Sequence, residues 1–208
     1  MKSETSSGTQ PSPASRSTTI LTVGHSTRTF AELLAILTAH GVERVVDVRS
    51  LPRSRRHPHF DRDALAAELA AAGIGYAHRS DLGGLRGASD SPDHAGLPKA
   101  LRGYGAHMET PAFAAALEEL MRMAERERVV ILCAEADPAH CHRSLIADAL
   151  TARGVMVEHL LDPSRRIEHA VTRGAVIEGA RVRYPAKQRS LRLGRARTET
   201  NDERGQEL

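Results

Sequence analysis

The sequence predicts a single α/β domain of three layers, a mainly parallel sheet with helices on both faces. Three observations predict it: short apolar runs recur along the chain, helical stripes fall between them, and neither end has much to bury. Ile20-Leu21-Thr22-Val23, ended by Gly24, reads as the first strand, and Phe30, Leu33, Leu34 and Leu37 then share one helical stripe. Val45-Val46-Asp47-Val48 is the second strand, running into Arg49 and a Pro-containing loop. Leu65 and Leu69 mark a second helix, and residues 73 to 77 a short strand. From Arg79 to Thr110 glycines, histidines and prolines follow one another without a period, which predicts an unusually long connecting loop, functional or mobile. Phe113, Leu117, Leu120 and Met121 form the next helical stripe. Val129-Val130-Ile131-Leu132-Cys133 is β-branched without polar alternation, as a central parallel strand covered on both faces should be. Leu145, Ile146 and Leu150 give the last helix, Val155 to Leu160 a fourth strand, and residues 175 to 184 a terminal strand or hairpin. The alternation of strand and helix implies right-handed parallel crossovers rather than a bundle or a sandwich.

Residues 1 to 18 are rich in Ser, Thr and Pro, and residues 186 to 208 are polar and charged, so both are expected to be disordered tails around a domain at 19 to 185. No apolar run approaches the roughly 18 to 20 residues of a membrane span, and no export signal follows Met1-Lys2, so no membrane partner is expected. Two cysteines are too few for a disulfide framework. Cys133 and Cys141 are therefore read as reduced thiols in a cytoplasmic protein. A net charge of +3, from 29 basic and 26 acidic residues, does not by itself indicate nucleic acid. Local clusters do suggest an anionic partner: Arg49, Arg53, Arg55, Arg56 and Arg62, and again the series from Arg181 to Arg197. Only 3% of residues are aromatic, which leaves few platforms for stacking bases.

In open parallel sheets ligands bind beyond the carboxyl ends of the strands. The first strand delivers Gly24-His25-Ser26-Thr27-Arg28 there, the second Asp47-Val48-Arg49-Ser50 and then Pro52-Arg53-Ser54, and the central one Cys133-Ala134-Glu135. The densest segment runs from Cys133 to Ser144, with Cys141 and His142 expected in the first turn of a helix, where unpaired N–H groups favour an anion or a thiolate. Arg143 has the shape for bidentate contact with phosphate. His25 and Glu135 are candidate proton carriers, and Cys133 or Cys141 a nucleophile or a polar wall. Ser26, Arg28, Asp47, Arg49, Arg53, Ser54, His142 and Arg143 are candidate substrate contacts. Structural zinc sites use close cysteine pairs, whereas seven residues separate these two thiols and no second pair exists, so the spacing predicts no metal site. A three-ligand site completed by His25 or His78 is the competing arrangement.

Gly24-His25-Ser26-Thr27-Arg28, Asp47-Val48-Arg49 with Pro52-Arg53-Ser54, Leu82-Gly83-Gly84, Cys133-Ala134-Glu135 and Cys141-His142-Arg143 together resemble the bacterial and archaeal family known as domain of unknown function 488, over about residues 19 to 162. The resemblance implies a compact cytoplasmic α/β domain and brings no reaction with it. A weaker similarity to rhodanese-type sulfurtransferases lies in Asp47-Val48-Arg49 and in Cys133 at a strand end. That family has an Arg six residues after its Cys, whereas position 139 here is Ala and the next arginine is Arg143, so the loop should differ in shape.

The leading expectation is an enzyme acting on a phosphate-bearing substrate, a nucleotide or nucleic acid, at the carboxyl edge of the sheet. Two others stand beside it: a non-catalytic nucleic-acid-binding module, using Arg53 to Arg62 and the basic tail, and a cysteine-dependent sulfurtransferase. The residues specify neither a cofactor nor an oligomeric state.

Overall fold

The computed structural model describes residues 18–186. The tails expected at either end, with Lys187, Arg189, Arg192, Arg195 and Arg197, lie essentially outside the described residues. The elements run β1 (Thr19–Gly24), α1 (Phe30–Ala39), β2 (Arg44–Asp47), α2 (Arg62–Ala71), β3 (Gly75–His78), α3 (Lys99–His107), α4 (Pro111–Ala124), β4 (Val129–Cys133), α5 (His142–Thr151), β5 (Met156–Leu160), β6 (Arg166–Glu168), β7 (Val176–Glu178) and β8 (Arg181–Arg183). The larger sheet has six strands in the order β3-β2-β4-β1-β5-β6, parallel except for the antiparallel edge strand β6. This is the expected α/β architecture.

Successive strand residues face opposite sides, so each strand feeds two cores. Leu21, Val23, Val45, Val130 and Leu132 pack with Leu33, Leu37, Leu65 and Leu69 of α1 and α2. Ile20, Val46, Ile131 and Cys133 pack on the other face with Phe113, Leu117 and Leu120 of α4 and Leu145, Ile146 and Leu150 of α5. Thr29 and Glu32 close a reciprocal capping box at the start of α1, and Thr110 with Pro111 caps α4. Among the described residues no helix is long and apolar enough to cross a membrane.

One expectation needs correction. The stretch from Arg79 to Thr110 is not a structureless loop: it holds α3 and two 3-10 turns, Ser80–Leu82 and Pro92–His94, and it buries Leu82, His94, Leu97 and Tyr104. Its glycines replace the apolar period because the chain passes too close for side chains. A Cβ at Gly103 would lie 1.7 Å from the Gly87 carbonyl oxygen, and one at Gly105 would lie 2.6 Å from the His94 ring. The expected terminal hairpin forms as β7 and β8, and β6 is a strand the sequence did not signal, three exposed residues pairing with β5.

Chain connections leaving the adjacent strands β1 and β4 run to opposite sides, from β1 past β4 to β2 and from β4 past β1 to β5. This reversal of direction opens a crevice at the carboxyl ends of β1 and β4.

Candidate active site

The crevice is a cleft of about 420 Å³. Cys133, Ala134 and Glu135 at the end of β4, and His140, Cys141 and His142 at the start of α5, form one wall. His25 after β1 and Arg49, Ser50, Leu51, Arg53 and Ser54 after β2 form another. Gly84, Leu85 and Leu101 close it from the long segment that follows β3. The fold therefore brings together His25, Arg49, Arg53, Ser54, Cys133, Glu135, Cys141 and His142. Ser26, Arg28, Asp47 and Arg143 stand outside the lining, and the reasons are physical.

Asp47 is fully buried at the end of β2. Its Oδ1 accepts from the Arg49 backbone N–H at 3.0 Å and from Arg49 Nε at 2.9 Å, and its Oδ2 accepts from the Arg49 terminal nitrogen at 2.6 Å and the Tyr76 hydroxyl at 2.8 Å. It thus serves as an internal counter-ion that aims Arg49. The other Arg49 terminal nitrogen donates to His25 Nε2 at 3.3 Å, while His25 Nδ1–H donates to the Ser26 carbonyl at 3.0 Å. Burial first, and the Arg49 cation second, lower the His25 pKa to about 4. His25 is therefore a neutral, fixed ring near pH 7, better suited to orienting than to carrying a proton.

Ser26 sits in the left-handed region at φ 48°, and its N–H donates to the Ala134 carbonyl at 2.9 Å, tying the β1 turn to the β4 loop. Arg28 donates to the carbonyls of Gly24 and Leu161. Arg143 is 1% exposed and donates to the carbonyls of Glu135 at 3.0 Å and Ala136 at 3.1 Å. Both arginines thus hold loops, where the sequence had suggested contacts to an anion. Gly24 makes the Arg143 clamp possible: a Cβ there would stand 1.8 Å from the Glu135 carbonyl oxygen.

Cys141 caps α5 and His142 is its first residue, as expected. The two thiols meet, with Cys141 Sγ donating to Cys133 Sγ at 3.0 Å. The S–H bond from Cys141, with the Glu135 backbone N–H behind it, holds Cys133 below the ordinary thiol range against the burial that would raise it. The same bond and burial raise Cys141. The pair therefore shares one proton. The donor atoms of Cys133, Cys141 and His142 all lie within 4.8 Å of one another, a convergence that the spacing argument against a metal did not foresee. The chain leaves β4 at Cys133 and returns to the sheet at the start of α5, so loop length along the sequence does not measure separation in space.

The family model "Domain of unknown function DUF488" matches residues 29–150, more than half of the chain. The chain belongs to that family. Within the DUF488 match lie every motif quoted above except Gly24 to Arg28, which ends one residue before it. No curated protein and no solved structure matches the chain. Leu51, Leu85 and Leu101 line the cleft of this DUF488 protein without having been singled out in the sequence, and Ser50, Gly84 and His140 stood there only as members of longer motifs. Gly84 carried a usable signal in Leu82-Gly83-Gly84: a Cβ there would lie 2.4 Å from His142 Nδ1, so the glycine lets the long segment pass over the ring.

Proposed function

We propose that this DUF488 protein is an enzyme that holds a small phosphate-bearing substrate in the cleft and works on it at the Cys133, Cys141 and His142 cluster. The observation that carries the reading is convergence: two thiols and an imidazole from different ends of one loop meet on the wall of a single crevice at the sheet's switch point. Arg53 lines the same crevice and is exposed, as are Arg55 and Arg56 beside it, which gives the mouth the charge to attract an anion. Glu135 stands exposed at the rim and is the group placed to exchange protons with solvent and substrate. A cytoplasmic setting would keep both thiols reduced.

The two other readings have less support. A nucleic-acid module on Arg53 to Arg62 would want an aromatic platform, but Phe60 is fully buried with its ring 4.2 Å from that of His25. Sulfur transfer would need a lasting persulfide. A persulfide on Cys133 would lie beside the Cys141 thiol, which on giving up its proton attacks the inner Cys133 sulfur, forms the Cys133–Cys141 disulfide and expels hydrosulfide.

The test pairs binding with turnover. Titration with inorganic phosphate and nucleoside monophosphates should show binding that Arg53→Ala weakens about tenfold, the loss of one charge-assisted contact. Glu135→Gln should remove turnover of a panel of phosphate mono- and diesters while leaving the binding constant within about threefold. Binding of oligonucleotides alone, with a steep salt dependence and no turnover, would replace the enzyme by the binding module. Absence of binding to any phosphate compound would overturn the substrate class.

A further inference from the structure

We infer that Cys133, Cys141 and His142 form a Cys2His zinc site whose fourth position opens onto the cleft. The inference deepens the reading of the cleft as a reaction centre and rests on that reading only for what the metal would do there. The geometry of the three donors stands alone. Around a tetrahedral zinc with ordinary bond lengths, two sulfurs lie about 3.8 Å apart and a sulfur and a nitrogen about 3.6 Å apart. Here His142 Nδ1 is 3.6 Å from Cys141 Sγ and 3.9 Å from Cys133 Sγ, and the sulfurs are 3.0 Å apart. Two of the three edges therefore already fit, and the third opens by about 0.8 Å once an ion replaces the S–H···S bond.

The surroundings select the same role. His142 Nε2–H donates to the Val48 carbonyl at 3.3 Å, which leaves Nδ1 unprotonated with its lone pair available. Ligating histidines characteristically have their second ring nitrogen held by such a carbonyl. The three donor residues are only 4 to 8% exposed, yet all three line the cleft. That is the arrangement of a catalytic zinc, with three protein ligands and one position left for water or substrate, and not of a closed structural site. Two thiolates and an imidazole suit zinc rather than magnesium or calcium, which take oxygen ligands. On binding, the one proton that the two sulfurs share leaves to solvent and no electron changes hands. The ion would then present a Lewis acid to a phosphoryl oxygen arriving past Arg53.

The experiment uses the full chain in a phosphine reductant, stripped with a strong chelator and then titrated with zinc or cobalt. One zinc per chain should survive dialysis, and the cobalt form should show thiolate-to-cobalt charge transfer together with the intense visible bands of a tetrahedral ion. Cys141→Ser and His142→Ala should each weaken zinc binding by at least about tenfold, whereas His140→Ala, an exposed neighbour, should leave it within about twofold. The wild-type cobalt spectrum needs no variant to fold. No retained zinc, or a cobalt spectrum without thiolate charge transfer, overturns the site, as does ready formation of the Cys133–Cys141 disulfide by reduced protein that takes up no metal. Failure of the substrate reading looks different: zinc bound with full stoichiometry and no phosphate ester bound or turned over. Turnover that persists in metal-free protein overturns the metal and spares the substrate class.

Discussion

Asp47→Asn is expected to lower the unfolding free energy by about 3 to 5 kcal/mol, the range found when one partner of a buried ion pair is removed. The carboxylate is completely buried and is met from two sides, by the Arg49 guanidinium and its backbone N–H and by the Tyr76 hydroxyl. An amide in its place keeps the volume but presents an N–H to groups that are themselves donors, and it leaves the Arg49 charge in a low-dielectric setting without a counter-ion. Urea denaturation of the variant and the wild type measures the difference directly. Because the pair is buried, the deficit should be nearly the same in low and high salt, which an exposed ion pair would not give. A second substitution, Arg49→Met, made on the Asp47→Asn background, should recover part of the loss by removing the stranded cation. A loss below about 1 kcal/mol would mean that water reaches the pair, since that is the range of exposed salt bridges. The cleft is affected by the same change, because Arg49 is the group that donates to His25 Nε2.

The fold was legible wherever one kind of residue had one reason to be present. Val129 to Cys133 could only be a central strand, because five successive apolar side chains need cover on both sheet faces. Helix α3 escaped notice because two of its nine residues, Gly103 and Gly105, are chosen for close approach to the Gly87 carbonyl and the His94 ring, and this erases the helical period. Strand β6 escaped because its three residues are exposed and are held by pairing with β5, a long-range contact with no local pattern.

The site was legible by chemical type and not by direction. His25, Arg53, Glu135, Cys133 and Cys141 were marked by what they are and where their strands end, and all of them reach the cleft. Arg143 has the same chemical type as Arg53, yet the α5 start points it at the carbonyls of Glu135 and Ala136, to which it donates. No spacing rule separates the two arginines. The same limit explains the metal question: ligand motifs count residues along the chain, whereas here a strand end and a helix start are neighbours because both pack on one sheet.

A pH titration of stability should expose a second buried device on the far side of α5. Thr22 Oγ1 lies 2.6 Å from His159 Nδ1, His159 Nε2 lies 3.0 Å from His169 Nδ1, and His169 Nε2–H donates to Asp148 Oδ1 at 2.8 Å. Asp148 cannot donate when ionised, so the proton of the last bond sits on His169 Nε2. The Thr172 N–H and the Tyr184 hydroxyl complete the Asp148 shell at 2.9 and 2.8 Å, so the network joins β1, β5, α5 and the residue after β8. Burial first, and then the neighbouring His169 and Arg143, lower the His159 pKa to about 4, against about 6.5 for an ordinary histidine. In that interval the unfolded chain binds a proton that the folded chain refuses, so folding stability rises with pH. The contribution is complete above about pH 6.5 and is lost as the pH falls toward 4, with a slope of about 1.4 kcal/mol per pH unit and a total of roughly 3 kcal/mol. At 4% exposure solvent screening gives little relief. Carboxylates also titrate in this range, so the measurement is the difference in slope between the wild type and His159→Gln, which keeps an amide donor and acceptor and has no proton to take up. The variant should be the less stable protein at pH 7 and should lose less on acidification; equal slopes for the two would mean that His159 binds its proton as readily in the folded chain as in the unfolded one.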